Sequence, residues 1–163
     1  MHENSYKLMR GFVRKYVDLD KPLLVAEIGS MQYHDQPWLY RNLFHDKHVY
    51  LGIDIEDGPN VDCVLKNPYD WKELRDTSFD IIVSGQMLEH CEKFWLVAKE
   101  MKKIIKPGGL ICLVAPWMMG KHKAPVDCWR ILPDGMKVIG DLMGADTVEA
   151  RRSKKDCIGI FKV

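Results

Sequence analysis

Apolar positions along the chain fall into two rhythms, one helical and one extended. Leu8, Phe12, Val13 and Tyr16 recur at helical steps within residues 5–17. An N-terminal helix within residues 1–20 is therefore expected, with Asp18–Pro22 breaking it. Leu23–Ile28 is an unbroken apolar run apart from Glu27, the pattern of a parallel strand buried on both faces. Gly29 follows at its carboxyl end, where the chain can turn sharply and lie close to a ligand. Residues 36–44 suit a short helix with Pro37 in its first turn. Val49–Ile55 and Val61–Leu65 are a second and a third strand, with only Glu56–Asn60 between them. A helical crossover needs about a dozen residues, so no helix is expected there and the sheet edge should be irregular.

Phe79–Ser84 is a fourth strand. Met87, Leu88, Cys91, Phe94, Trp95, Ala98, Met101 and Ile105 then keep three- and four-residue steps, predicting one long helix. Pro107-Gly108-Gly109 should stop it. Leu110–Ala115 is a fifth strand closed by Pro116, and residues 117–130 have no period. A last helix is expected over 134–143, with Pro133 at its start, and a hairpin from Thr147–Arg152 and Cys157–Val163. Strands alternating with helices predict an α/β fold, doubly wound, its sheet mostly parallel with a C-terminal antiparallel hairpin.

At 163 residues the chain fits one domain, residues 1–163, with a core of its own. A net charge of +1 points to neither nucleic acid nor a membrane surface. Arg151, Arg152, Lys154 and Lys155 read as a solvated hairpin tip. Five cysteines without a Cys-x-x-Cys pair indicate neither a zinc site nor a disulfide framework, and no metal site is expected. Free thiols suit a reducing compartment. With a polar N-terminus and no apolar run near 18 residues, the expectation is a cytoplasmic protein with no membrane partner.

Candidate chemistry gathers where the strands end, because ligands of open α/β sheets bind at that edge. Glu27 places an anion there that suits an amine or a hydroxyl rather than a phosphate. Asp54 ends the second strand about 25 residues beyond the glycine turn, the position from which a carboxylate accepts both hydroxyls of a ribose. Viewed alone it equally reads as a solvated strand end. Glu27-Ile28-Gly29-Ser30-Met31-Gln32-Tyr33 lacks the three glycines that cradle a pyrophosphate. A nucleoside without phosphates fits better.

Glu27-Ile28-Gly29, Gly52-Ile53-Asp54, Phe79–Ser84, Leu88-Glu89-His90 and Ile105–Leu110 together resemble, in order and spacing, the class I S-adenosylmethionine-dependent methyltransferases of the small type 11 kind. The resemblance spans roughly residues 20–143. It implies a Rossmann-like seven-stranded sheet and S-adenosyl-L-methionine as cofactor. It places Glu27 and Gly29 beside the methionine portion, Ser30 among the cofactor-binding residues and Asp54 on the ribose. Asn67 stands where the family often has an acid that reads the adenine amino group. Tyr69 and Trp71 are placed to wall the adenine, and Gly85 and Gln86 to meet the methionine end. Met31 and Tyr33 replace the second and third glycines of the family's loop.

The segment 116–131 follows the fifth strand and is expected to overhang the same edge as the acceptor side. It is similar to a bacterial subgroup with His-x-x-Pro-Val-Asp-x-Trp-Arg, here His122–Arg130, followed by Pro133-Asp134-Gly135-Met136. His122 is the candidate general base for a hydroxyl acceptor, with Asp127 placed to orient it or to bind substrate. Trp117 and Arg130 are candidate substrate contacts, Arg130 for a carboxylate or phosphate. An Asp127–Arg130 pair that only pins the loop reads equally well. His90 at a helix start reads first as a structural residue.

The implied activity is methyl transfer to a small hydroxylated acceptor such as a sugar or secondary metabolite. The alternative is a catalytically inert cofactor-binding subunit that stabilises a partner. A homodimer would be one way to complete the acceptor pocket. Nucleic acid is disfavoured as substrate, since Ser84-Gly85-Gln86 stands where amino-directed nucleic-acid methylases carry Asn-Pro-Pro-Tyr or Asp-Pro-Pro-Tyr.

Overall fold

The computed structural model describes residues 2–33, 35, 37–123 and 126–163. Seven strands form one sheet: β1 (Leu24–Ile28), β2 (Val49–Asp54), β3 (Cys63–Val64), β4 (Phe79–Gly85), β5 (Ile105–Pro116), β6 (Asp146–Ser153) and β7 (Asp156–Lys162). Their order is β3-β2-β1-β4-β5-β7-β6. The first five pair in parallel, and β7 runs antiparallel between β5 and β6. The sheet is thus mostly parallel and Rossmann-like, with the expected C-terminal hairpin.

Alternation along the strands sends neighbouring residues to opposite faces. Val25, Ile81, Val83, Cys112, Val114, Ile158 and Ile160 face one layer, built from helix α1 (Glu3–Tyr16) and the 3-10 turn Tyr40–Leu43. Ala26, Ile28, Ile53, Ile82, Ile111, Leu113 and Phe161 face the other, built from α2 (Phe94–Ile104) and α3 (Pro133–Met143). Helix α1 buries Leu8, Met9, Phe12 and Val13 and carries Glu3 in its first turn with Arg14 and Lys15 in its last, which suits the helix dipole. Pro133 opens α3 at its first turn, where a missing N–H costs nothing.

Two expected elements come out differently. Within residues 36–44 the described helix is only the single 3-10 turn Tyr40–Leu43, so Pro37 lies outside it; residue 36 is outside the described residues. The long helix expected from Met87 is divided. A 3-10 turn, Leu88–His90, is followed by extended backbone at Cys91, and α2 begins only at Phe94. Other groups use the carbonyls that a continuous helix would need. The Cys128 N–H donates to Glu89 O at 2.7 Å and the Trp129 Nε1–H to Cys91 O at 2.7 Å. At its far end α2 stops at Ile104, before Pro107, because the approach to a proline disfavours helical backbone. The short link between β2 and β3 contains no helix, and β3 is a two-residue edge.

Candidate functional site

A cavity of about 350 Å³ opens at the carboxyl ends of β1, β2 and β4. Ile28 and Gly29 from β1, Ile53, Asp54 and Ile55 from β2, and Gln86 and Met87 after β4 form one side. Leu65, Tyr69 and Trp71 after β3, with His90, Cys91 and Val126, form the other. Gly29 holds the turn at φ +77°, and a Cβ there would press on Met87, so only glycine keeps this wall thin. Its N–H donates to Ile53 O at 2.9 Å, which ties the turn to β2.

Asp54 lines the cavity with its carboxylate already fixed. Oδ2 accepts from the Met31 N–H at 2.8 Å and Oδ1 from the Ile55 N–H at 2.7 Å. A carboxylate has about four acceptor positions, so two remain for a diol. The chain between Gly29 and Tyr33, although it lacks two of the family's glycines, supplies one of these donors, and the Tyr33 side chain borders the cavity.

Glu27, Ser30 and Asn67 lie beside the cavity rather than on its wall, whereas Tyr69 and Trp71 line it. Glu27 is buried on the opposite face of β1, where Oε2 accepts from Tyr50 Oη–H at 2.8 Å and Asn60 Nδ2 at 3.0 Å. Burial pushes its carboxyl up to about 7 against those two bonds. Ser30 is buried with no partner for Oγ among the described residues. Asn67 uses Oδ1 to accept the Tyr69 N–H at 2.8 Å, closing a local turn that presents Tyr69 to the cavity. Lys93 Nζ sits 5.6 Å from the Tyr69 ring centre. Trp71 is fully buried at the cavity floor, its Nε1–H donating to Pro68 O at 3.0 Å.

Gly85 passes beneath Tyr40, whose ring a Cβ would strike. Gln86 borders the cavity at φ +59°, yet its side chain turns back toward α1. Nε2 donates to Asp156 Oδ1 at 3.1 Å, and Oε1 pairs with His2 Nε2 at 3.1 Å. The N-terminus of α1 thereby braces the turn after β4.

An ion pair braces the acceptor-side loop from within. Arg130 grips Asp127 through its two terminal guanidinium nitrogens, at 2.6 and 2.8 Å, and also donates to Met119 O at 3.1 Å and Gly120 O at 3.1 Å. Asp127 accepts in addition from the His122 N–H at 2.8 Å. The Arg130 guanidinium, first, and that N–H, second, hold its carboxyl well below the usual carboxylate range. Both groups are thus engaged in the loop itself. Trp117 lies over the hairpin tip, donating Nε1–H to Lys154 O at 2.8 Å with Arg152 stacked 4.5 Å above it, and does not border the cavity. His122 stands partly exposed, its ring 5.0 Å from that of His90 and nearly perpendicular to it. Residues 124 and 125 of the loop motif lie outside the described residues.

Two residues to which the sequence reading gives no site role stand here. Glu89 is fully buried between the loop and β4's end, and burial pushes its carboxyl up to about 7. His90 lines the cavity and bonds Val126 O through Nδ1 at 2.5 Å. The Leu88-Glu89-His90 triplet is the available signal, but a histidine at a helix start reads first as a structural residue.

A family model described as a methyltransferase domain matches residues 40–113. Among solved structures, an Aquifex aeolicus S-adenosylmethionine-dependent methyltransferase aligns with TM-score 0.67 at 17% identity, covering 94% of this chain and 88% of its own. Burkholderia thailandensis 1,6-didemethyltoxoflavin-N1-methyltransferase, solved with 1,6-didemethyltoxoflavin and S-adenosylhomocysteine, aligns with TM-score 0.73 at 11% identity, covering 98% and 78%. A Mesorhizobium loti S-adenosylmethionine-dependent methyltransferase gives TM-score 0.68 at 12% identity, covering 99% and 98%. At these identities the likeness is one of fold. No curated protein matches the sequence.

Proposed function

We propose that this chain, a class I S-adenosylmethionine-dependent methyltransferase with a type 11 methyltransferase domain, methylates a hydroxyl group of a small acceptor such as a sugar or secondary metabolite. The observation that carries the hydroxyl is the histidine pair at the cavity: His90 on its wall and His122 5.0 Å away on the overhanging loop. A hydroxyl must lose its proton to attack a methyl group, and histidine titrates in the range where it can take one.

In this reading the ribose lies on Asp54, the adenine against Tyr69 and the methionine end along Gly29 and Gln86. The sulfonium then points toward His90 and Val126. The acceptor oxygen bonds to the methyl carbon while the carbon–sulfur bond breaks and its electron pair stays on sulfur. Positioning supplies most of the acceleration in such a displacement. The shortness of the loop 116–131 supports a small acceptor, and the near-zero net charge suits an uncharged metabolite better than nucleic acid. Asp127 and Arg130 act as positioning residues that hold His122 over the cavity. Free thiols at all five cysteines suit the cytoplasm, and no helix among the described residues is long and apolar enough to cross a membrane.

The test is turnover of isotope-labelled cofactor against a panel of hydroxylated metabolites, with wild type and His122→Ala. The variant is expected to lose roughly 10² to 10⁴ in rate while binding the cofactor as wild type does. Wild-type turnover and an unchanged pH profile in the variant would remove His122 from the chemistry.

A further inference from the structure

Three ligand-bearing side chains meet beside the cavity: Glu89 and His90 from the turn after β4, and His122 from the loop after β5. Their candidate ligand atoms all lie within 4.8 Å of one another. Glu89 is completely buried, and beyond its own backbone amide neither of its oxygens has a hydrogen-bond partner among the described residues. A carboxylate left in that state costs free energy unless something cationic satisfies it. The nearest partner is His90 Nε2, at 3.7 Å from Oε1.

Both imidazoles are oriented by the backbone. Nδ1 of His90 faces Val126 O at 2.5 Å, and Nδ1 of His122 faces Gly120 O at 3.2 Å. A carbonyl only accepts, so each Nδ1 carries the hydrogen and each Nε2 keeps a free lone pair. A histidine that donates its other ring N–H to a carbonyl is the usual support for a metal ligand.

We propose that Glu89, His90 and His122 form a site for a divalent transition-metal ion, with an open coordination position facing the cavity for the acceptor oxygen. Two imidazoles and one carboxylate suit zinc, manganese, iron or cobalt rather than calcium or magnesium. Three protein ligands with a vacant position is also the arrangement of catalytic zinc sites. Ligand atoms around zinc stand about 3.4 Å apart at metal–ligand distances near 2.1 Å, so the site closes on the ion by a contraction of roughly 1 Å. His122 can supply that movement, since its side chain is 38% exposed and sits on a loop.

This inference rests on the hydroxyl reading for its purpose. An ion there lowers the pKa of the acceptor hydroxyl; the proton goes to water, and the oxygen's electron pair then forms the bond to the methyl carbon. His122 serves as a ligand in that case, and its loss removes the ion.

The experiment is a titration of the full-length protein with Zn²⁺ against a chromophoric chelator, and with Co²⁺ followed by its visible absorption. Wild type is expected to take up one ion, with a Co²⁺ spectrum of low coordination number. Glu89→Gln and His122→Ala should each weaken uptake at least tenfold, while His45→Ala, an exposed histidine elsewhere, leaves it unchanged. No stoichiometric uptake by wild type, or equal uptake by the Glu89→Gln protein, overturns the site. Circular dichroism identifies a variant that has lost its fold, and Glu89→Gln keeps shape and volume, so it decides if His122→Ala unfolds. If the ion binds as expected but the loaded protein methylates no hydroxylated acceptor, the hydroxyl reading fails and the metal site stands.

Discussion

Glu27 illustrates what a single residue does here. Its carboxyl is buried among Tyr50, Asn60 and the charge of Arg41, and desolvation holds it up at about 7 against an ordinary 4.5. Between those pH values the folded chain keeps a proton that the unfolded chain has released. Its contribution to stability is therefore complete below about pH 4.5 and is lost as the pH rises through 7. Glu89, raised to about 7 by burial, acts with the same sign. Glu27→Gln retains an oxygen for Tyr50 and Asn60 but removes one titration. Its stability should fall less than wild type's between about pH 5 and pH 8, by on the order of 2 kcal/mol. Urea denaturation at the two pH values measures this, and an unchanged slope would show that Glu27 stays ionised when folded.

Among the elements, the division of the helix after β4 matters most to the site. Its apolar spacing from Met87 to Ile105 is real, and α2 does bury Val97, Ala98, Met101 and Ile104. What periodicity does not register is competition for backbone carbonyls from Cys128 and Trp129, the latter 38 positions beyond Cys91. Long-range bonds of this kind have no local sequence signal. That is why β1, β2, β4, the hairpin and the strand-end Asp54 were legible, while the buried carboxylate of Glu89 and the turned-back side chain of Gln86 were not. Trp129 is the joint: it packs edge-on against Phe94 at 5.3 Å and bonds Cys91 O. Trp129→Phe keeps an aromatic ring and removes the bond, and should cost about 1 kcal/mol. Urea unfolding that matches wild type would mean the loop is held by packing and the Asp127–Arg130 pair alone.

Across the whole molecule, a doubly covered sheet leaves its chemistry at one edge and shields most of its thiols. Cys112 is buried in one core layer and Cys157 in the other; burial pushes the Cys157 thiol up to about 11 and that of Cys112 well above its usual range. Cys91, on the cavity wall, is raised to about 12 by burial. Cys128 is exposed. Thiolate is the reactive form, so native alkylation near pH 8 should modify Cys128 first and the buried pair only on unfolding, as read by mass spectrometry. Rapid labelling of Cys112 or Cys157 would contradict the packing described. The same sheet edge carries the central claim, a nucleoside cofactor held by Asp54. Two charge-assisted hydrogen bonds to a ribose diol are worth about 2 kcal/mol, roughly thirtyfold in affinity. Calorimetric titration of S-adenosylmethionine into wild type and Asp54→Ala measures this directly. Saturable binding by wild type, weakened about thirtyfold in a folded variant, is the expected result; equal affinities, or no binding to the folded wild-type protein, would contradict it.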